Sequence, residues 1–176
     1  LIDDVGLEKI KHNIQRQFDG LKVAEHYGCH VLRPEKIVNF EEPEDPKALR
    51  ELIEITGAEL VDYVDKLECC GQPMIGVDDK IPLQLSRDKL KHIKDTGAQA
   101  MVTICPACHM MYDLYQSKIE GDFNESFGIP VLHYPQLLGL AMGFNPDELG
   151  LGENRVKASG ILNFRFDVKT SSVIRG

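Results

Sequence analysis

Five cysteines carry most of the chemistry this chain can offer, and they fall into three short groups: Cys29, the adjacent pair Cys69-Cys70 followed by Gly71, and Cys105-Pro106-Ala107-Cys108. Thiolates are the soft ligands of zinc and of iron–sulfur clusters, and thiols without a shared role would scatter along the sequence. A structural zinc takes four ligands and a standard cubane cluster takes four cysteines. A fifth thiolate points to a larger or unusual cluster, or to one cysteine bridging two irons, with a structural zinc site as the competing metal reading. Cys105 and Cys108 alone also fit a thioredoxin-like dithiol, a reading that gives Cys29 and the Cys69-Cys70 pair nothing to do.

Local chemistry supports ligation. Cys105 and Cys108 open a helix, where free backbone N–H groups and the helix dipole favour thiolate over thiol. Neighbours such as Cys69 and Cys70 point to opposite faces in an extended strand. The chain must therefore bend there, and Gly71 supplies the freedom.

The elements that must bring the groups together alternate. Residues 21–27 (LKVAEHY) read as a strand stopping at Gly28-Cys29, followed by a polar, proline-containing loop. Asp45-Pro46 reads as an N-cap with proline in the first helical turn. Leu49, Leu52, Ile53 and Thr56 share that helix's face, and Gly57 ends it. A strand is expected over 59–64, a helix over 82–96, a strand over 99–104 and a helix over 106–119. A strand over 129–133 and a helix over 135–142 complete the pattern. Strands alternating with helices predict an α/β fold with a mainly parallel central sheet flanked by helices. Sites in such sheets form at the carboxyl ends of strands, and each cysteine group lies at or shortly after a predicted strand, so the groups are expected to converge at one sheet edge. Residues 1–150 are read as one domain. Residues 151–176, with five Lys/Arg against two Asp/Glu and no periodic face, are read as a C-terminal tail.

Bulk properties narrow the function. A net charge of −8 argues against nucleic acid as the main partner, because phosphate binding needs a basic face. No apolar run is long enough for a membrane span. No secretory leader is visible at LIDDVGLEKI, which points away from a disulfide framework and towards a reducing cytoplasm. The chain starts with Leu, so the sequence is expected to be trimmed or processed.

The set Cys29, Cys69-Cys70-Gly71 and Cys105-Pro106-Ala107-Cys108 resembles the cysteine-rich CCG domain of the heterodisulfide reductase B subunit, with related copies in iron–sulfur subunits of succinate, glycolate, lactate and glycerol-3-phosphate oxidising enzymes. HYGCHVLRP (26–34), VGLEKIK near the start and PVLHYPQLLGLAMG (130–143) point to the heterodisulfide reductase branch. The resemblance covers roughly residues 1–157. It implies two such domains in tandem, each holding a noncubane [4Fe-4S] cluster on its five motif cysteines, here Cys29, Cys69, Cys70, Cys105 and Cys108. It implies reductive cleavage of the disulfide of coenzyme M and coenzyme B between two clusters. Electrons then arrive through a ferredoxin-like C subunit from a flavin-containing A subunit. With one CCG unit, the chain resembles the C-terminal half of the B subunit, and the second domain is an expected partner. The alternative functions are an electron-transfer subunit of a related dehydrogenase complex and a zinc-stabilised module.

Beyond the cysteines, His30 and His109 adjoin ligand candidates and His133 ends a predicted strand. All three are candidates for hydrogen bonding around the site or for supplying protons there. His12, His26 and His92 are expected to be structural or on the surface, and Arg33 to be a loop arginine. Glu41–Asp45 is expected to be a solvated loop leading into a helix, and Met110, Met111, Tyr112 and Tyr115 to be core or shielding residues.

Overall fold

A computed structural model of the chain describes residues 1–164 and the backbone of 167–168. Two short helices, α1 (Ile2–Val5) and α2 (Leu7–His12), precede β1 (Arg16–Gln17) and β2 (Lys22–His26). Next come α3 (Cys29–Leu32), α4 (Glu35–Val38), α5 (Ala48–Glu54) and β3 (Glu59–Val61). A 3-10 turn at Gln72–Met74 leads to α6 (Lys80–Asp95), β4 (Ala100–Thr103), α7 (Pro106–Asp113) and α8 (Gln116–Phe123). β5 (Val131–His133), α9 (Tyr134–Ala141), α10 (Ser159–Leu162) and β6 (Asp167–Val168) finish the order.

The central sheet runs β3-β2-β4-β5 with every pair parallel, so the α/β architecture expected from the alternation is present. Period-two side-chain alternation divides the interior into two cores. Val23, Ala100, Val102 and Leu132 face Leu49, Ile53, Leu137 and Leu140 of α5 and α9. Ala24, Met101 and Val131 face Leu90, Ile93, Met111 and Ile119 of α6, α7 and α8. Both faces of the central strands are covered, which is why β4 reads as a continuous apolar run instead of an alternating one. β1 and β6 form a separate antiparallel ribbon.

Several boundaries differ from the sequence expectation for identifiable reasons. The helix expected at Asp45-Pro46 begins at Ala48 with Lys47 as its N-cap residue. The carboxylate of Glu41, further upstream, accepts the N–H groups of Lys47 at 2.7 Å and Ala48 at 2.9 Å. The orphan donors of the helix start are therefore satisfied from the loop and not by Asp45. The strand expected over 59–64 stops at Val61. Beyond it, the Tyr63 hydroxyl turns inward to donate to the Glu25 carbonyl at 2.7 Å. The polar loop expected after Cys29 holds the single-turn helices α3 and α4.

The single helix expected over 106–119 is two helices, α7 and α8. At the break the Met110 carbonyl accepts from both Leu114 and Tyr115. Gln116 holds this junction: its amide donates to the carbonyls of Tyr112 at 2.6 Å and Ile129 at 3.0 Å, and its oxygen accepts the Ile129 N–H at 2.8 Å. Gln116 is fully buried, so Gln116→Leu leaves backbone groups without partners. We expect the variant to lose about 3 kcal/mol, at about 1–3 kcal/mol per unsatisfied buried group. A lower urea midpoint at unchanged slope is the expected readout; an unchanged midpoint would show the contacts to be dispensable.

Within the segment after 150, Leu151, Ala158 and Ile161 belong to the larger core. The Asp113 carboxylate of α7 accepts the N–H groups of Arg155 and Val156 at 2.8 and 3.0 Å. The TSSVIRG end of the predicted tail lies outside the described residues.

Candidate metal centre

Cys29 opens α3 just beyond β2. Cys105 is the N-cap residue of α7 just beyond β4, with Pro106 in the first turn and Cys108 following in that turn. The segment from the end of β3 to Cys69 and Cys70 is longer. Cys29 Sγ and Cys69 Sγ lie 3.7 Å apart. Gly28, at φ +84°, brings the β2–α3 turn against the α7 turn. A Cβ built on Gly28 would stand 2.6 Å from Cys105 Cβ, 3.3 Å from its sulfur and 3.4 Å from the Cys108 sulfur. The bend at Cys69-Cys70 also rests on a close approach: a Cβ on Gly71, at φ +79°, would stand 2.7 Å from Pro82 Cα of α6. The three groups therefore gather in one region.

All five thiols are free. Cys70 and Cys108 are buried, while Cys29, Cys69 and Cys105 are half-buried. Their electrostatics couple. A hydrogen bond from the Cys108 thiol pulls Cys70 down to about 6, assisted by the Gln72 N–H and the positive charge of Lys89. The same bond, then burial, pushes Cys108 up. Burial, then the Cys69 thiol, pushes Cys29 up to about 11. The Cys69 sulfur also accepts the Gly71 N–H at 3.3 Å.

Among the described residues, no three His, Cys, Asp or Glu side chains form a ready-made site for one metal ion. The sulfurs instead approach one another in pairs. A donor set composed entirely of thiols, with a glycine where a side chain would push Cys105 aside, fits a sulfur-ligated centre.

The histidine candidates separate. His30 is exposed on α3. His109 Nε2 lies 3.1 Å from the Val131 carbonyl, and the His109 and His133 rings are 6.3 Å apart. Burial, then the neighbouring His109, pushes His133 below the usual imidazole range, and its Nε2 has no partner. His26 is buried edge-on to Tyr112 at 5.2 Å. Arg33 pairs with Glu44 at 2.6 Å and reaches the Leu67 carbonyl at 3.3 Å, beside a surface cleft of about 470 Å³ whose wall includes Glu68. Two side chains of α6 escaped the sequence reading. Ser86 donates to the Cys70 carbonyl at 3.0 Å, and Lys89 donates to the Glu68 carbonyl at 2.8 Å. A legible signal existed: residues 82, 86, 89 and 93 form one stripe at helical spacing, placing a lysine on a face with Pro82 and Ile93.

A parallel α/β sheet with cysteines from three segments brought near one another defines a class, and the cysteine-rich domain (CCG) family model matches residues 23–113. The chain belongs to this CCG cysteine-rich domain family. Over 160 residues, 89% of its length, it is 44% identical to the B subunit of the ferredoxin/F(420)H(2)-dependent CoB-CoM heterodisulfide reductase of Methanosarcina acetivorans, covering 53% of that protein. It is 33% identical over 153 residues to the 8-methylmenaquinol:fumarate reductase membrane anchor subunit of Wolinella succinogenes, covering 87% of this chain and 54% of that protein. The chain thus spans about half the length of the curated relatives it matches. Among solved structures, a hypothetical protein from Helicobacter pylori shares the fold at TM-score 0.66 and 15% identity, over 86% of this chain and 28% of that one. No helix among the described residues is long and apolar enough to cross a membrane.

Proposed function

We propose that this chain is the iron–sulfur half of a B subunit of the heterodisulfide reductase type, with Cys29, Cys69, Cys70, Cys105 and Cys108 as ligands of a noncubane [4Fe-4S] cluster. The observation that carries the reading is the approach of cysteines from three separate segments: Cys29 Sγ lies 3.7 Å from Cys69 Sγ, and a Cβ on Gly28 would strike Cys105 at 2.6 Å and stand 3.4 Å from the Cys108 sulfur. Such a cluster, when bound, supplies single electrons to a substrate sulfur. The chain's own residues then divide the work. Cys70 and Cys108 anchor from the dry side, and Cys29 and Cys69 border solvent. The helix dipole of α7 favours negative sulfur at Cys105 and Cys108. His109, which follows Cys108, and His133, whose ring lies 6.3 Å from that of His109, are candidates to hold a proton for a departing thiolate.

The substrate proposed is the disulfide of coenzyme M and coenzyme B, from the likeness to the Methanosarcina acetivorans protein. A second CCG domain completes the site in this reading, because the chain spans about half of its relatives. The A and C subunits of the reductase deliver electrons, and the compartment is the cytoplasm. The domain is taken as 1–150, with Leu151, Ala158 and Ile161 of the 151–176 segment packed into its core. Likeness to the Wolinella succinogenes protein supports a second reading, an electron-transfer subunit without its own substrate.

Iron, sulfide and zinc content with EPR on anaerobically purified protein tests these readings. About four irons and four sulfides, with a signal altered by coenzyme thiols, is the expected outcome. A signal blind to thiol would favour plain electron transfer. Stoichiometric zinc without sulfide, lost together with the fold on chelation, would overturn both in favour of a zinc-stabilised module.

A further inference from the structure

Helix α6 underlies the segment that delivers Cys69 and Cys70. Pro82 backs Gly71. Ser86 Oγ donates to the Cys70 carbonyl at 3.0 Å. Lys89 Nζ donates to the Glu68 carbonyl at 2.8 Å and also to the Asp65 carbonyl. One stripe of one helix therefore grips the loop at both ends.

Lys89 is unusual in that stripe. It is 1% exposed, and a buried ammonium needs anions to offset its lost hydration. Yet among the described residues no carboxylate lies within ion-pair distance of it. The Asp65 carboxylate faces His92, with Nδ1 at 3.1 Å. The other neighbours of Lys89 are neutral: two carbonyls, the Tyr63 ring at 5.9 Å, and His26 Nδ1 at 3.5 Å, whose own charging is suppressed by burial. Burial pushes the ammonium down to about 8, and Asp65 from beyond contact distance, then Cys108 and Cys70, pull in the opposite direction.

We propose that Lys89 is the internal counter-cation of the cysteine site: it fixes the Cys69-Cys70 loop through backbone carbonyls and balances the negative charge of Cys70, Cys108 and the centre they hold. It is a positioning residue, since its own contacts are with carbonyls of the loop. Its redox consequence rests on the iron–sulfur reading above. A fixed positive charge beside the centre favours the reduced form, so removing that charge lowers the midpoint potential.

The test uses the full chain as wild type, Lys89→Met, Lys89→Gln and Lys89→Arg, each reconstituted anaerobically with ferrous iron and sulfide and titrated under EPR. The Met and Gln variants are expected to shift the oxidised-to-reduced ratio at the wild-type midpoint about tenfold, or about 59 mV downward for a one-electron couple. The Arg variant should stay close to wild type. Loss of the centre in the Met and Gln variants but not in Arg also supports the proposal. An unchanged Met midpoint, an Arg shift as large as the Met shift, or loss of the centre in all three overturns it, because fit and not charge would then decide. If wild-type protein takes up no iron and sulfide, the iron–sulfur reading fails by itself. The metal-free chains then decide by hydrogen exchange at the amides of the Cys69–Gly71 loop that Lys89 grips. Faster exchange in Met and Gln, restored in Arg, supports the proposal, and equal exchange in all chains overturns it.

Discussion

Cys70→Ser and Cys108→Ser chains, purified anaerobically, are each expected to retain at least about tenfold less iron and sulfide than wild type. Even changes one layer outside a metal's ligands cost about 10–100-fold in affinity, and these two thiols are the buried ones. A serine hydroxyl there is a harder, shorter donor than a thiolate. The fold should survive: both positions belong to the smaller core, whose bulk comes from Leu90, Ile93, Met101, Met111 and Tyr112. Far-UV circular dichroism separates the two effects. Full iron and sulfide with a wild-type EPR signal in either variant would remove that cysteine from the ligand set. His92→Gln is the matched control, because His92 faces Asp65 on the outer side of α6 and should leave iron content unchanged.

Much of this site was legible because its signals are local. The Cys-x-x-Cys spacing at a helix start, the Cys-Cys-Gly bend and the strand–helix alternation each depend on neighbouring residues, and the structure gathers their products. What escaped depended on distance. Glu41 and Asp45 both precede α5 in one short acidic stretch, and only the fold of that loop decides that Glu41 caps the helix. Nothing in 106–119 reveals that Gln116 will bond to Ile129 and part α7 from α8. The core role of Leu151 and Ile161 requires knowing that Asp113 ties down the Arg155 and Val156 N–H groups, a contact between segments far apart in the chain. Lys89 lies between these cases. Its position on an inward stripe was readable, but its partners, the carbonyls of Asp65 and Glu68, come from a loop well before α6. Periodicity thus located side chains by face, and only tertiary geometry assigned them partners.

Gly28→Ala is expected to abolish the centre while leaving most of the sheet intact. The new methyl would sit 2.6 Å from Cys105 Cβ, closer than real Cβ contacts come, and that neighbour is the root of a ligand side chain and not a flexible tip. Either the α7 turn retreats, moving Cys105 and Cys108 together, or the β2–α3 turn retreats, moving Cys29. Both displace ligands. A conformation at φ +84° also strains any L-residue, at about 1–3 kcal/mol. Gly20→Ala separates these effects. Gly20 has the same φ of +84°, but a Cβ there meets nothing within 4 Å. Gly20→Ala should therefore carry the backbone penalty alone: a lower urea midpoint with wild-type iron and sulfide. Gly28→Ala should add to that penalty a loss of iron of at least about tenfold, on the scale of ligand displacement. Equal iron in the two variants would mean that the approach of the two turns is not what shapes the centre, and that the clustering of Cys29 with Cys105 and Cys108 is incidental to metal binding.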